Sequence, residues 1–222
     1  MCNRYRLSAK QAAVMRAAGF DPPYPEEENH PVPREIFPTG KKTARHGLVV
    51  RRSAQGNRPL EPVAMEWGFP TQVPSKRDPA VKLDKYVTNA RNLASSMWRP
   101  SIASADRRCL VPFTHFAEPH PEGGMGDDGK PRQMWFSIPD EPIAFFAGLW
   151  RPTGRGDAYA FVTTAPNAIV SPWHPKAMPA ILHPHDFTTW LDGSQDEALA
   201  LVRPYDGPMI EQVETPGDEL VG

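Results

Sequence analysis

The chain has only two cysteines among its 222 residues, Cys2 and Cys109. That excludes a disulfide-stapled scaffold, and no cysteine pair shows the close spacing of a structural zinc site. The seven histidines carry no paired helical spacing either, so neither a metal nor a cofactor is expected. No apolar run is long enough to span a bilayer, and "MCNRYRLSAKQAAVMRAAG" lacks the unbroken apolar stretch of a signal peptide. Cytoplasmic residence without a membrane partner is the resulting expectation. Charge of one sign is also missing. With a formal net charge of −1, the whole molecule does not attract polyanions, and any surface for them must be a local patch.

Proline, in contrast, is plentiful. Its 27 residues are spread along the chain, which points to many short strands joined by rigid loops. "GLVVRR", "PVAMEWGFP", "QMWFSIP", "IAFFAGLW", "AYAFVTT" and "MPAIL" read as strands, and "RRCLVPFTHFAEP" as one strand ending at a carboxylate. "HPEGGMGDDGKPR" reads as a hairpin loop, and "FDPPYPEEENHPVPREIFPTG" as a proline-rich surface loop. "SAKQAAVMRAAG" reads as a helix with Ser8 as N-cap, Gln11 completing a capping box and Gly19 as the stop. "KYVTNARNLASSMW" is expected to turn into a short helix, "HPHDFTTWLDG" and "SQDEALALVRP" to be short helices, and "MIEQVET" to close a sheet. The expected fold is α+β: a β-rich single domain over residues 1–222, with twisted antiparallel and mixed sheets forming a barrel-like core flanked by short helices.

The chain opens "MCNRYRLS". Removal of Met1 would give Cys2 two adjacent nucleophiles, an α-amine titrating near ~8 and a thiol near ~8.5. Most termini are frayed and inert. "RYRL", however, alternates as a strand does, and a terminus tied into a sheet can line a site. Cys109, in "RRCLVPF", reads as a buried packing residue. Glu118 ends an apolar strand. It reads either as a surface carboxylate or as a general acid/base with a pKa raised by neighbours such as Phe113 and Phe116. His174, in "SPWHPKAMPAIL", reads either as a loop histidine packed on Trp173 or as a catalytic base on a rigid loop. Asn89 and Arg91, in "VTNAR", offer a two-way hydrogen-bonding amide and a phosphate fork. Arg4, Arg6, Lys41, Lys42, Arg45, Arg51 and Arg52 read as a charged rim or, with Trp67 and Phe69, as a face for single-stranded nucleic acid.

Taken in order, "MCNRY", "IFPTG", "EWGF", "NAR", "RRCLVPFTHFAEP", "TTAPN" and "HPKAMPAIL" resemble the motifs of the SRAP family, the SOS-response-associated peptidases or abasic-site-processing proteins. The sequence departs from the family pattern at Asn3, where glycine is usual, at Pro119 after the glutamate, and at the histidine loop. That loop carries an extra residue between His174 and Met178, and Lys176 in place of an arginine. The resemblance implies recognition of abasic sites in single-stranded DNA and a covalent thiazolidine link through Cys2 once Met1 is gone, with AP-lyase chemistry as a side reaction. It implies Cys2, Asn89, Glu118 and His174 as catalytic residues, and Arg4, Arg91, Trp67, Pro38, Phe69 and Lys176 as DNA contacts. It also implies a cytoplasmic monomer, nucleoid-associated when on DNA, that needs no cofactor. Two other functions fit Cys2 or the basic residues: an N-terminal-nucleophile amidohydrolase acting on a small amide, and a non-catalytic single-strand binder.

Overall fold

The computed structural model describes residue 2 and residues 4–21, 34–37, 45–54, 57–126, 129, 131–217 and 219–221. Within them the chain runs β1 (Arg4–Arg6), α1 (Gln11–Ala17), β2 (Glu35–Ile36), β3 (His46–Arg52), β4 (Leu60–Trp67), β5 (Phe69–Pro74), β6 (Lys82–Val87) and β7 (Asn89–Ala90). It continues through α2 (Arg99–Ala103), β8 (Arg108–Phe113), β9 (His115–Pro119), β10 (Gln133–Ser137), β11 (Ala144–Thr153) and β12 (Gly156–Thr164). Last come β13 (Met178–Pro179), β14 (Ile181–Leu182), α3 (Phe187–Asp192), α4 (Gln195–Ala200) and β15 (Ile210–Gln212).

Five strands close on themselves. β12, β4, β3, β8 and β11 are neighbours in that order, and β11 pairs back onto β12, so the ring has no open edge. Every pairing in it is antiparallel except β12 with β4. A second, wholly antiparallel sheet has the order β15, β10, β9, β1, β2. Together with the short helices this is the α+β, barrel-cored fold expected from the sequence.

The two sheets are joined by one residue. "RRCLVPFTHFAEP" is two strands rather than one, because the chain turns at Thr114 from the barrel strand β8 into β9 of the second sheet. Thr114 holds the corner with its own backbone: its N–H donates to the Arg6 carbonyl at 2.8 Å. Phe113 on one side of the corner stacks on Phe146 at 3.9 Å, and Phe116 on the other meets Phe113 edge-on at 5.8 Å. Apolar burial on both sides of a polar pivot therefore sets the angle between the sheets.

Strand β1 is the inner tie. Tyr5 is fully buried, and its cross-strand partners are Phe116 and Ile36. Its ring meets Trp67 edge-on at 5.3 Å and Phe146 and Phe161 at 6.0 and 6.1 Å. Its hydroxyl hydrogen-bonds to that of Tyr159 on β12. A phenol in an apolar interior needs such a partner for its polar tip. Gly47 makes the close approach possible, since a Cβ there would collide with both tyrosine hydroxyls.

Two local expectations are corrected. Helix α1 starts at Gln11 after Lys10, with no side-chain cap. Ser8 does not cap it, because Ser8 still continues the extended β1 segment and donates its N–H to Thr114 Oγ1 at 3.3 Å. The expected stop at Gly19 is present, at φ +81°. "VTNAR" is not a turn into a helix. Asn89 and Ala90 pair in parallel with Phe161 and Val162, and the helix is delayed to Arg99. The expected surface loop over residues 20–40 is interrupted by β2, where Glu35 and Ile36 pair with Arg6 and Tyr5; its residues 22–33 and 38–40 lie outside the described residues.

Replacing Gly47 by Ala should drive the two tyrosines apart and lower stability by about 1–3 kcal/mol, the usual cost of overpacking. Urea unfolding checks this, and an unchanged midpoint would mean that the hydroxyl pair is not the packed junction described.

Candidate active site

Three residues from three distant stretches meet where β1 enters the second sheet. Cys2 is fully buried, and its thiol donates to the Arg4 carbonyl at 3.4 Å. The Asn89 side chain comes from β7, held beside β12 by the parallel pairing. Its Nδ2 donates to the Cys2 carbonyl at 3.2 Å and to Thr88 Oγ1 at 2.8 Å. Glu118 lies on β9, opposite Met134, and is wholly inaccessible to solvent. Cys2 is thus buried beside a strand, Arg4–Arg6, that the sheet holds on both edges, as the alternation of "RYRL" suggests.

The electrostatics follow from burial. Loss of water raises the Glu118 carboxyl to about 7. Desolvation also pushes the Cys2 thiol well above its usual range, and the nearby Glu118 charge pushes it further, against backbone hydrogen bonds at Arg4 and Ala117 that pull it down. The thiol is therefore protonated at neutral pH, while Glu118 is near its midpoint. Asn89 Oδ1 is buried and accepts no hydrogen bond among the described residues. It is a desolvated acceptor beside the Cys2 backbone, a costly arrangement unless a donor arrives.

His174, Arg91 and Lys176 form a rim. His174 Nδ1 faces the Ala177 backbone, 2.7 Å from its carbonyl oxygen and 3.2 Å from its nitrogen, which fixes the ring on the loop. Burial holds its pKa below the ordinary value, opposed by that hydrogen bond and assisted by the charges of Lys176 and Arg91. Arg91 follows β7 directly and donates through Nη1 to the Lys176 carbonyl at 2.5 Å. Both Arg91 and Lys176 are exposed.

The remaining candidates lie elsewhere. Arg4 and Trp135 both stand opposite Ala117 in the register, on the face of the second sheet away from Tyr5 and Phe116. Arg4 is paired with Glu35, and its guanidinium lies 5.0 Å from the rings of Phe37 and Trp135. Trp67 is inside the barrel, stacked on Phe161 at 4.9 Å, with its Nε1–H donated to the Thr88 carbonyl. Phe69 is buried against Trp98 and lies under Arg151. Neither aromatic has a face open to a base. Pro38 lies outside the described residues, as do Lys41 and Lys42. Cys109 is the buried packing residue expected. Arg45, Arg51 and Arg52 are engaged by Glu66, by Glu61 and Asp157, and by Asp192. Sequence reasoning missed Tyr5 and Tyr159. The signal for Tyr5 was present, an aromatic alternating between Arg4 and Arg6.

A family model for the SOS response associated peptidases matches residues 1–216. The chain belongs to that family. No curated protein matches the chain. Among solved structures, this SRAP protein is similar to a protein from Bordetella bronchiseptica, with 20% identity, a TM-score of 0.68 and coverage of 97% of this chain and 100% of that one. It is also similar to a protein from Bacteroides thetaiotaomicron, at 21% identity and a TM-score of 0.66 over 96% of this chain and 91% of that one. A phage-related protein from Bordetella bronchiseptica follows, at 15% identity and a TM-score of 0.61 over 98% and 97%. At these identities the likeness to solved structures shows a shared fold. Among the described residues of this SRAP chain, no group of three or more His, Cys, Asp or Glu side chains is placed to hold a metal, and no helix is long and apolar enough to cross a membrane.

The raised Glu118 carboxyl should be visible in stability. Between its ordinary value of 4.5 and its folded value of about 7, the folded protein holds the proton that the unfolded chain has released. Unfolding free energy should therefore fall as pH rises through that window, by at most about 3 kcal/mol from this group. Glu118→Gln should flatten that part of the pH–stability profile. A profile identical to wild type would show that the carboxyl titrates normally.

Proposed function

We propose that this SRAP protein recognises abasic sites in single-stranded DNA and links to them covalently through Cys2 after Met1 is removed. The observation that carries the reading is the burial of a thiol-bearing residue within the field of Glu118, with the Asn89 amide hydrogen-bonded to its carbonyl. An abasic deoxyribose is a closed hemiacetal that must open to an aldehyde. His174, its ring fixed against the Ala177 backbone, accepts and returns a proton during opening. The freed α-amine of Cys2 adds to the aldehyde carbon, and the resulting carbinolamine loses water to give an imine. The thiol sulfur then adds to the imine carbon, and its proton passes to the nitrogen. The product is a five-membered thiazolidine ring.

Glu118 suits both proton steps. With a pKa of about 7 it is present as acid and as base at neutral pH, so it protonates the departing hydroxyl and then takes the thiol proton. Asn89 Oδ1 accepts from the new amine, orienting its lone pair toward the sugar. Because the amine and thiol are on one residue, the second bond forms without a second encounter, the proximity gain that favours ring closure over release. If ring closure is prevented, the imine can instead eliminate the 3′ phosphate, which is the route to AP-lyase chemistry. Arg91 and Lys176, exposed beside His174, supply positive charge for flanking phosphates. Removal of Met1 is either the work of an aminopeptidase or a self-cleavage assisted by Glu118.

The test is incubation with abasic single-stranded DNA followed by a denaturing gel and intact mass. Wild type should give a heat-stable adduct on a chain that lacks Met1. Cys2→Ala should give none while keeping its melting temperature. Glu118→Gln and His174→Ala should each slow adduct formation by roughly 100-fold or more, the usual contribution of a positioned acid or base. A heat-stable adduct on Cys2→Ala refutes the assignment, and wild-type rates in the other two variants remove them from the mechanism.

A further inference from the structure

The positive charge expected along Arg45, Arg51 and Arg52 is neutralised by carboxylates, so those residues do not form a free cationic face. Unneutralised charge is instead concentrated on one protruding element. β5 and β6 pair only with each other, in register from Phe69 with Val87 to Pro74 with Lys82. At its base this ribbon is anchored by buried Phe69 and leads directly into Asn89 of the candidate site. Arg155, at the β11–β12 turn, ties Tyr86 and Asp84 of the ribbon, and residues 76–85 are all exposed.

Residues 75–85 carry Lys76, Arg77, Lys82 and Lys85 against Asp78 and Asp84. Asp84 is engaged by Arg155 through a salt bridge, and Asp78 accepts the Ala80 N–H at 3.0 Å. None of the four cations forms an ion pair among the described residues. In a protein with a net charge of −1, this is a local excess of positive charge on a thin, solvated arm. Two aliphatic side chains sit among the cations without cover, Val81 at 48% exposure and Leu83 at 47%. A two-stranded ribbon is marginal by itself and gains nothing in stability from unpaired like charges. The composition is that of a contact surface.

We infer that the β5–β6 ribbon is a second nucleic-acid contact of this protein, gripping the phosphodiester backbone of a single strand whose lesion lies at Cys2. This rests on the proposed function for its partner. The six-residue strands are about 20 Å long, which separates the tip from Asn89 by about that distance along the ribbon. The tip cations Lys76, Arg77 and Lys82 therefore meet phosphates several nucleotides away from the reacting sugar. Lys85 lies nearer the base, and Val81 and Leu83 offer apolar surface to unstacked bases. Such contacts supply affinity without reading sequence, as a protein acting on lesions in any sequence requires.

The test uses a labelled, lesion-free single-stranded oligonucleotide, so that it does not depend on the chemistry at Cys2. Binding is measured by fluorescence anisotropy across a range of NaCl concentrations for three proteins: wild type, Lys76→Gln/Arg77→Gln/Lys82→Gln/Lys85→Gln, and the charge-retaining Lys76→Arg/Lys82→Arg/Lys85→Arg. The glutamine variant should bind at least about tenfold more weakly at low salt, and its log–log salt slope should shrink by roughly 2–3, near 0.7 for each lost phosphate contact. The arginine variant should match wild type, and all three should melt alike. At saturating abasic DNA the glutamine variant should still form the adduct. Wild-type affinity and slope in the glutamine variant would overturn the inference, as would failure of wild type to bind the oligonucleotide at all. Binding of wild type to phosphatidylserine vesicles that is lost in the glutamine variant, with DNA binding unchanged, would also overturn it and assign the arm to a membrane surface. An arm effect on lesion-free DNA without any adduct on abasic DNA would reject the Cys2 chemistry and leave the arm assignment standing.

Discussion

The insertion of Tyr5 into the barrel is the constraint on which the site depends. A three-residue strand near a chain terminus would ordinarily fray, since it has few hydrogen bonds and its neighbours are free to move. Here β1 is flanked by β2 and β9, and its central ring is enclosed by Trp67, Phe146 and Phe161. The hydroxyl contact to Tyr159 gives the ring a fixed end point inside an otherwise apolar interior. With Tyr5 immobile, Cys2 is three residues from an anchor and cannot wander from Glu118. The same packing removes water from both groups, which is why the carboxyl and the thiol depart so far from their ordinary titration.

The barrel and the second sheet divide the labour. The closed ring is an edge-free scaffold, and its strand β12 aligns Asn89 by parallel pairing through Phe161. The second sheet brings Glu118 in from the far side of the Thr114 corner. Residues distant in sequence thereby converge through two rigid supports, with little reliance on mobile loops. The rim is different. His174, Arg91 and Lys176 are placed by a loop and a strand end and are partly or fully exposed.

Much of this was legible in the sequence. The proline spread and the short apolar runs foretold a barrel-like β fold. The ordered motifs pointed to the family and to Cys2, Asn89, Glu118 and His174. What could not be read was orientation. Arg4 and Tyr5 are adjacent, yet the period-2 alternation of a strand sends Tyr5 into the barrel core and Arg4 to the opposite face, where it is buried against Glu35 and Trp135, and only the pairing partner decides which. Trp67 and Phe69 have the chemistry of base-stacking residues, but burial, which depends on contacts remote in sequence, turned them into core. The arginines of β3 were similarly misleading, because their carboxylate partners come from Glu61, Asp157 and Asp192, elsewhere in the chain. Ser8 failed as a helix cap because sheet pairing extended past it.

The account stands or falls on which atoms hold the sugar. The most direct measurement is peptide mapping by tandem mass spectrometry of the wild-type adduct with abasic single-stranded DNA, made with and without borohydride. A thiazolidine has no reducible C=N bond, so the account predicts a stable adduct in both samples, with the sugar remnant on the amino-terminal Cys2 peptide. An adduct that survives only after reduction, or one that maps to a lysine, would contradict it.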